Sequence, residues 1–553
     1  MQKHYLQYLT DVMEHQWNDA ALTDYGENHE YTFGELATEM LQLHTLFEML
    51  GLKQGSKIAL AGRNCANWAV GYLSIAAFEG VCVSILQDFR PEDIIHLLEH
   101  SDSELLLVGP YVWHEIEKSR EATPELTFPK GIKAVLSLED WRPLYVAEGV
   151  AMPAHEDVLA AFKAKYPHEL QPEDIYFSAD PDALSLINYT SGSTGSPKGV
   201  MLTGRSISNN VEVGMKMLPV DPGQRLVSML PLAHMFGQVC ELLYPLCSGT
   251  HIFFLTKSPT PSILLKALKD VQPYLVVTVP LVIEKIYKKN LDPMLSKWAI
   301  RTFWHIPGIG DLIKNRVKKG LRNAFGGRLR YFICGGAAMN PIVEKCLMDI
   351  HFPLSIGYGM TECGPLIGGN PPKYFKARSG GVPVMNMEVK IDEPNKAGIG
   401  EILVKGENVM LGYYKNPEAT KAVFTEDGWM RTGDLGRMDR KQNIFIKGRS
   451  KTMILGASGQ NIYPEEIEDK LNNQEAVGES LIVEREGKLV ALVFPDETLT
   501  KRMTLEEIQQ IMRANLEKLN NIIPSYSKVS NIEVQDKPFE KTPKKSIKRF
   551  LYK

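Results

Sequence analysis

The alternation of strand-like and helix-like segments is the feature that most constrains the fold of this chain. Between residues 30 and 140, four short β-rich runs, 57–61, 81–86, 105–108 and 134–138, alternate with stretches of helical periodicity such as Phe33 to Leu50 and Pro91 to His100. Thr32, followed by Glu35 three residues on, is typical of a capping box at the start of the first of these helices. The same pattern returns further on, in 225–230, 251–255, 274–279, 329–334 and 354–356. Such alternation is typical of βαβ units. The sequence therefore predicts an α/β fold with mostly parallel sheets and helices packed on them.

The pattern changes beyond about residue 380, where short strands and turns dominate. A polar, charged joint follows at 447–451, and the rest reads as a small α+β unit. Its predicted elements are a helix from Pro464, a hairpin around 486–488 and an amphipathic helix over 505–519. A chain of 553 residues is too long for one small core. We expect a large N-terminal domain, 1–448, and a small C-terminal domain, 449–553.

Composition excludes several classes of protein. Hydrophobic residues at 44% and charged residues at 23% describe an ordinary globular protein, and the net charge of −4 gives no reason to expect nucleic acid as a partner. Seven scattered cysteines favour a reducing compartment over disulfides or structural zinc. The first residues lack the apolar core of a signal peptide, and the apolar stretch 68–86 reads as a buried helix followed by a strand. We expect a cytoplasmic protein.

One stretch, 189–200, carries the strongest chemical signal. It follows a short apolar run, 184–187, that reads as a strand end. Its sequence is YTSGSTGSPKGV, in which glycines and hydroxyl residues precede Lys198. Glycine lets backbone N–H groups approach an anion, Ser and Thr add hydroxyl donors, and the lysine adds positive charge. Gly199 follows the lysine where a Walker loop has Ser or Thr. The pattern predicts a triphosphate site, and a polar surface turn remains the alternative.

Three other predicted strands also end in chemically suggestive residues. In open α/β sheets, ligands collect at the carboxyl ends of strands. The segments at these ends are 231–237, which contains His234, then 335–338, which reads GGAA, and 357–362, which reads GYGMTE.

Together with Gly433-Asp434 and Gly448-Arg449, these motifs resemble the adenylate-forming superfamily of acyl-CoA synthetases, luciferases and peptide-synthetase adenylation domains. The resemblance covers nearly the whole chain, in family order and spacing. It implies a two-step ligase: ATP and a carboxylate give an acyl-adenylate and pyrophosphate, and a thiol, usually that of coenzyme A, then displaces AMP. The long-chain fatty acid–CoA ligases are the most similar branch, through 201–203, 357–365 and 456–465.

The resemblance also implies roles for individual residues. Glu362 would be a ligand of Mg²⁺, Thr361 a donor to the α-phosphate, and Asp434 an acceptor for the ribose hydroxyls. The other residues implied in ATP and AMP binding are Thr190, Ser191, Gly192, Ser193, Thr194, Gly195, Lys198, Gly335, Gly336, Ala337, Tyr358, Gly359, Met360 and Arg449.

Three further positions follow from the same resemblance. Lys451 falls at the hinge about which the small domain rotates between two poses, and Gly459 lies where the family leaves room for the pantetheine arm of coenzyme A. His234 matches a position beside the acyl pocket, and a purely structural histidine remains the alternative.

The chain departs from the family at its C-terminal motif. The family places a catalytic lysine four residues after a threonine, and here Ser546 occupies that position after Thr542. A serine cannot neutralise charge that develops on the phosphate. Either the adjacent Lys545 serves, or the first half-reaction is weak and the chain works on preformed adenylates or only binds its ligands. We expect a working enzyme.

The fatty acid, ATP and coenzyme A are the expected substrates, with Mg²⁺ as cofactor. Transfer to an acyl-carrier protein, or binding without turnover, remain alternatives. The segment 282–330 is rich in Lys and Arg interleaved with Trp298, Phe303 and Trp304. Such a face could rest on an anionic bilayer and admit fatty acids from it. A solvated helical face is the alternative reading.

Overall fold

The computed structural model describes residues 3–27, 29–190, 197–257, 260–455, 461–542 and 547–552. The predictions for Ser191, Gly192, Ser193, Thr194, Gly195, Gly459, Lys545 and Ser546 lie outside the described residues. The chain contains two compact units. One holds Met1–Thr190, Lys198–Glu388 and Lys405–Ala422, and the other holds Val389–Val404 and Val423–Lys553. The predicted domain boundary between 448 and 449 stays a prediction.

Strands occupy the following positions: β1 (Ala20–Asp24), β2 (Glu30–Thr32), β3 (Lys57–Ala61), β4 (Val81–Ile85), β5 (Leu105–Val108), β6 (Ala134–Ser137), β7 (Pro143–Val146), β8 (Leu184–Thr190), β9 (Lys198–Thr203), β10 (Arg225–Ser228), β11 (His251–Phe254), β12 (Leu275–Thr278), β13 (Tyr331–Cys334), β14 (Leu354–Ile356), β15 (Tyr358–Gly359), β16 (Leu366–Gly369), β17 (Val382–Pro383), β18 (Met387–Asp392), β19 (Gly400–Gly406), β20 (Gly412–Tyr413), β21 (Met430–Met438), β22 (Ile444–Arg449), β23 (Ile454–Leu455), β24 (Asn461–Ile462), β25 (Val477–Arg485), β26 (Lys488–Pro495) and β27 (Val529–Val534).

Helices occupy the following positions: α1 (Tyr5–Gln16), α2 (Phe33–Met49), α3 (Ala66–Ala77), α4 (Pro91–Ser101), α5 (Pro110–Ala122), α6 (His155–Lys165), α7 (Gly204–Met217), α8 (Met235–Gly237), α9 (Tyr244–Leu246), α10 (Pro261–Val271), α11 (Pro280–Ile286), α12 (Asp292–Leu295), α13 (Trp298–Phe303), α14 (Ile309–Ala324), α15 (Pro341–Asp349), α16 (Pro417–Val423), α17 (Pro464–Leu471), α18 (Glu497–Thr500) and α19 (Leu505–Ile522). Two π-helical segments, Gln238–Leu243 and Tyr287–Leu291, continue α8 and α11.

Two large sheets form the first unit, and both confirm the predicted α/β fold. One has eight strands in the order β20-β9-β8-β4-β3-β5-β6-β7, of which β8, β4, β3, β5 and β6 run parallel. The other has seven strands in the order β14-β13-β12-β10-β11-β1-β2, and only its edge pair, β1 and β2, is antiparallel. The carboxyl ends of the parallel strands of each sheet lie along one edge, which is where the predicted binding segments begin.

The strand before the glycine-rich stretch is longer than the apolar run alone predicts. The run ends at Ile187, yet β8 continues to Thr190 because Asn188, Tyr189 and Thr190 pair with the antiparallel strand β9. The glycine-rich stretch therefore joins two antiparallel strands, whereas the Walker loop leads from a strand into a helix.

The predicted capping box at the start of α2 is confirmed. The side chains of Thr32 and Glu35 each accept a hydrogen bond from the other residue's backbone N–H group.

The second unit has its own core. β25, β26 and β27 form one sheet, with β25 and β26 joined as the predicted hairpin, whose last pair is Arg485 and Lys488. Helices α17 and α19 cover it through buried residues that include Leu471, Met512 and Leu519. A four-stranded sheet, β18-β19-β21-β22, carries the residues expected to bind ribose. Among the described helices of the chain, none combines the length and the apolar character that a membrane crossing requires. The cytoplasmic location stays a prediction.

Candidate active site

The two residues that flank the glycine-rich stretch face each other across a strand pair. Thr190 ends β8, Lys198 begins β9, and the two are direct partners in the antiparallel ladder. Gly199 must be small at this point, since a Cβ there would lie 2.9 Å from the Ile187 Cγ2 atom. The structure thus places Lys198 at the start of a strand beside the end of the central parallel strands.

The predicted adenine and α-phosphate segment forms a tight turn. Tyr358 and Gly359 make up β15, which pairs antiparallel with β16, and the Met360 N–H donates to the Pro365 carbonyl at 2.8 Å. A Cβ on Gly359 would lie 2.2 Å from that same carbonyl oxygen, so only glycine fits there. Tyr358 and Thr361 are buried, and Thr361 opens a 3₁₀ turn that includes Glu362.

Tyr413, which was not predicted as a site residue from the sequence, contacts both Glu362 and Lys198. The Tyr413 hydroxyl donates to Glu362 Oε1 at 2.9 Å, and the Lys198 ammonium lies 4.8 Å from the centroid of the Tyr413 ring. Burial of the hydroxyl, followed by the charge of Glu362, raises the pKa of Tyr413 far above its usual range. The phenol therefore keeps its proton as a donor to the carboxylate at physiological pH.

The predicted glycine segment after β13 packs against the loop that carries His234. The Gly335 N–H donates to the Thr278 carbonyl at 3.2 Å, and a Cβ on Gly335 would lie 2.9 Å from the Phe236 ring. Gly336 has a φ of +82°, which favours glycine. Gly336 and Ala337 are exposed, so their backbone is open to a ligand. The close approach of Phe236 to Gly335 joins two of the predicted segments.

His234 has a structural role in this fold. Its Nδ1 atom accepts a hydrogen bond from the Phe236 N–H at 3.2 Å and so caps α8. The preceding residue is fixed as well, because the Asn188 side-chain amide donates to the Ala233 carbonyl at 2.8 Å. These contacts support the structural alternative for His234, and the predicted role beside the acyl pocket stays a prediction.

A second residue that the sequence reasoning missed is Glu241, in the π-helical segment that follows α8. Its Oε2 atom accepts from the backbone N–H groups of Met229 and Leu230, at 2.9 and 2.8 Å, and thereby holds the end of β10 where the His234 loop begins. The side chain is fully buried, and this burial raises the pKa of Glu241 to about 8, although the backbone donors oppose the shift. Glu241 could have been recognised from the sequence as a single acidic residue inside the otherwise apolar run 239–246.

In the second unit, Asp434 and Arg449 are direct cross-strand partners on β21 and β22. The guanidinium Nε lies 3.2 Å from Asp434 Oδ1, and the Arg449 side chain is 65% exposed while that of Asp434 is 8% exposed. The structure thus pairs two of the residues predicted to bind the nucleotide. Lys451, the predicted hinge, is exposed two residues after β22.

The residues on either side of the predicted catalytic lysine are also fixed within this unit. Lys541 and Ile547 form an antiparallel bridge, and the Lys541 ammonium pairs with Glu479. Arg549 pairs with Glu468 of α17, a buried carboxylate that also accepts from the Ile482 N–H at 2.7 Å. Burial raises the pKa of Glu468 to about 7 in spite of the arginine. The end of the chain is therefore anchored to the core of this unit.

Comparison with known proteins agrees with this arrangement. A family model described as AMP-binding enzyme matches residues 9–414. The chain belongs to the AMP-binding enzyme family. A second model, the C-terminal domain of AMP-binding enzymes, matches residues 451–552. The chain is thus an adenylate-forming, acyl-activating enzyme of this family, as the sequence motifs predict.

Two curated relatives are similar to this chain in sequence, and one solved structure shares its fold. The chain is 27% identical to long-chain-fatty-acid–CoA ligase 5 of Rattus norvegicus, covering 88% of this chain and 76% of the relative. It is 25% identical to a chloroplastic long-chain-fatty-acid–[acyl-carrier-protein] ligase of Arabidopsis thaliana, covering 87% and 75%. ATP-bound MatB of Rhodopseudomonas palustris, with 20% identity, superposes with a TM-score of 0.77 over 100% of this chain and 98% of that one.

Proposed function

We propose that this enzyme activates a long-chain fatty acid with ATP, releases pyrophosphate, and transfers the acyl group from acyl-AMP to coenzyme A. The observation that carries the proposal is the convergence of Lys198 and Glu362 on Tyr413. A cation and a carboxylate at one point suit the two parts of a magnesium–triphosphate complex. The names of the relatives support a long-chain acid.

Each residue has a defined task in the proposed first step. Lys198 binds the β- and γ-phosphates, Thr361 donates to the α-phosphate and Tyr358 offers its ring to adenine. Asp434 accepts the ribose hydroxyls, which Arg449 approaches from the neighbouring strand. The α-phosphate gains negative charge during attack by the carboxylate, and Lys545, in the C-terminal segment, supplies the cation that stabilises this charge.

The residues present fit the proposed magnesium ion. Glu362 offers a hard carboxylate oxygen, and one protein carboxylate together with substrate phosphates is the usual environment of Mg²⁺ in enzymes that bind nucleoside triphosphates. When bound, the ion would neutralise part of the triphosphate charge. The protein's own contribution is to hold Glu362 in place, through the Tyr413 hydroxyl and the hydrogen bond from the Met410 N–H to the Glu362 carbonyl at 2.9 Å.

The experiment that tests the proposal measures pyrophosphate release from ATP, Mg²⁺ and palmitate, for the wild type and for Lys545→Ala. In parallel, acyl-CoA formation from synthetic palmitoyl-adenylate measures the second step. We expect the wild type to perform both, and Lys545→Ala to lose the first by about a hundredfold or more. If the wild type converts the adenylate but releases no pyrophosphate, the serine at position 546 has abolished the first step. Failure of both reactions would refute the proposed substrate.

A second acceptor is favoured by one specific observation, the Arabidopsis relative named as an acyl-carrier-protein ligase. The same assay separates the two acceptors when holo-acyl-carrier protein replaces coenzyme A. We expect coenzyme A to be the better acceptor, in agreement with the predicted pantetheine position at Gly459. Faster transfer to the carrier protein would reverse that assignment.

We further propose that the face formed by α13, α14 and the residues between them contacts an anionic bilayer. Trp298 is 79% exposed and Leu312 is 72% exposed, among the most exposed apolar side chains of the described chain. Lys297 and Arg301, which precede and follow Trp298 in the chain, are also exposed. An exposed indole flanked by cations suits the interface between water and lipid headgroups. Trp304, which is buried, anchors the face to the core of the unit.

A further inference from the structure

Tyr413 stands between two opposite charges. Its hydroxyl bonds to Glu362 Oε1 at 2.9 Å, and the face of its ring lies 4.8 Å from the Lys198 ammonium. The tyrosine itself is only 7% exposed. Among the described residues, neither Lys198 nor Glu362 takes part in an ion pair, although each is close to the same side chain.

The backbone on both sides of Tyr413 is fixed to the elements that carry these charges. Tyr413 is the register partner of Val200 on β9, and the Tyr414 N–H donates to the Gly199 carbonyl at 2.7 Å. The Tyr413 N–H donates to the Thr420 hydroxyl at 2.9 Å. With its main chain held in this way, the ring has a set position relative to Lys198.

An ion pair between Lys198 and Glu362 would work against both of their proposed tasks. The ammonium would lose part of its attraction for phosphate, and the carboxylate would lose part of its attraction for a divalent cation. A ring face attracts an ammonium more weakly than a carboxylate does, and a phenol hydroxyl holds a carboxylate without neutralising it. Both groups are therefore positioned while their charges stay available to a ligand.

Resting on the proposed use of magnesium and ATP, we propose that Tyr413 is a positioning residue that prevents Lys198 and Glu362 from pairing with each other. Its hydroxyl holds the carboxylate for the metal, and its ring holds the ammonium for the phosphates. Two different parts of one side chain thus serve two different parts of the ligand, and substitutions can separate them.

The experiment measures the affinity for α,β-methylene-ATP by calorimetry, with and without Mg²⁺, so that no turnover is needed. Tyr413→Phe keeps the ring and removes the hydroxyl. In this variant, we expect the factor by which Mg²⁺ raises the affinity for the analogue to fall about tenfold. The affinity measured without Mg²⁺ should change by less than about threefold. Tyr413→Leu removes both parts and should also weaken metal-free binding by about tenfold.

A double variant tests the pairing itself. If Lys198 pairs with Glu362 once the ring is gone, Glu362→Gln added to Tyr413→Leu should restore the metal-free affinity to within about threefold of the wild type. Tyr414→Phe is the matched control, because Tyr414 is the next residue, is only partly exposed and donates its hydroxyl to Asp102 instead, at 2.8 Å. We expect this control to bind as the wild type does.

Two results would overturn the proposal: a Tyr413→Phe variant that matches Tyr414→Phe in its response to Mg²⁺, or a double variant that binds no better than Tyr413→Leu. Circular dichroism and the midpoint of thermal unfolding check that each variant is folded, and Tyr413→Phe alone decides the first point. A wild type that binds the analogue but releases no pyrophosphate with palmitate would refute the proposed substrate and leave the Tyr413 comparison intact.

Discussion

The Arg449 guanidinium lies 3.2 Å from the Asp434 carboxylate, directly across two antiparallel strands. Because the arginine is mostly exposed, the pair adds little to stability. We expect Arg449→Ala to lower the free energy of unfolding by less than about 1 kcal/mol while it raises the KM for ATP at least about tenfold. Urea denaturation and initial-rate kinetics measure the two effects, and Arg437→Ala, on the same strand as Asp434, is the control. A large loss of stability with an unchanged KM would assign the pair to the fold alone.

Glu241 predicts a specific dependence of stability on pH. Its pKa in the folded state is about 8, above the ordinary value of 4.5, so the folded chain keeps a proton that the unfolded chain releases. The stability that this group contributes is fully present below about pH 4.5 and is lost as pH rises through about 8. Glu241→Gln does not titrate, so its stability relative to the wild type should rise by about 1 to 4 kcal/mol between pH 5 and pH 8.

Denaturant unfolding of the wild type and of Glu241→Gln at a series of pH values tests this expectation. Glu117→Gln, at a partly exposed glutamate paired with Arg120, is the matched control. Parallel curves for all three proteins would mean that Glu241 is charged in the folded enzyme.

Gly359 is expected to tolerate no side chain. A Cβ there would meet the Pro365 carbonyl at 2.2 Å, and because that atom belongs to the backbone, the turn that carries Tyr358 and Thr361 must shift. We expect Gly359→Ala to lower stability by about 1 to 3 kcal/mol and to weaken ATP binding. Gly320→Ala, in the middle of α14 with no atom within 4 Å of its added Cβ, should instead gain up to about 1 kcal/mol. Chemical denaturation and calorimetric binding of ATP compare the two, and wild-type affinity in Gly359→Ala would contradict the expectation.

The proposed bilayer contact predicts binding to phosphatidylcholine vesicles that contain phosphatidylglycerol, and little binding to phosphatidylcholine alone. Lys297→Glu/Arg301→Glu should weaken that binding by at least about thirtyfold, since each cation near an anionic surface contributes roughly 1 kcal/mol. Trp298→Ala should weaken it by about tenfold, because the indole is lost from the interface between water and lipid headgroups. Vesicle co-sedimentation at several salt concentrations measures it. Tyr176→Ala, at an aromatic residue that is 73% exposed on the same unit, is the control. Equal sedimentation of all variants would contradict the bilayer contact and support the alternative that this segment is a solvated helical face.

Local elements were predictable where the signal lies within a few residues. The capping box of Thr32 and Glu35 and the strands 57–61, 105–108 and 354–356 occur as the sequence predicts. Strand ends elsewhere were placed one or two residues too far, because the last ladder bonds depend on neighbours distant in the chain. The end of β8 was placed too early for the same reason, since polar residues such as Asn188 join the ladder through pairing with β9.

The candidate site was predictable as a set of segments but not as a set of contacts. The motifs that include Lys198 and Glu362 could be recognised because each has its own composition. Tyr413 could not, since it is separated from Glu362 by 51 residues and has no distinctive local pattern. His234 was identified, yet its contact with the Phe236 N–H depends on a loop geometry that spacing alone does not define.

The position of β20 at the outer edge of β9 has a consequence for how the chain is made. Residues 198–203 leave the ribosome more than 200 residues before Gly412 and Tyr413, which corresponds to roughly 10 to 40 s at ordinary rates of synthesis. During that interval one side of β9 lacks its partner, and an unpaired strand edge is a template for aggregation. Fragments that end before residue 410 should therefore be markedly less soluble than fragments that end after residue 422. Lys198, at the start of this strand, would then reduce aggregation of the nascent chain at the unpaired edge, before the enzyme binds any phosphate.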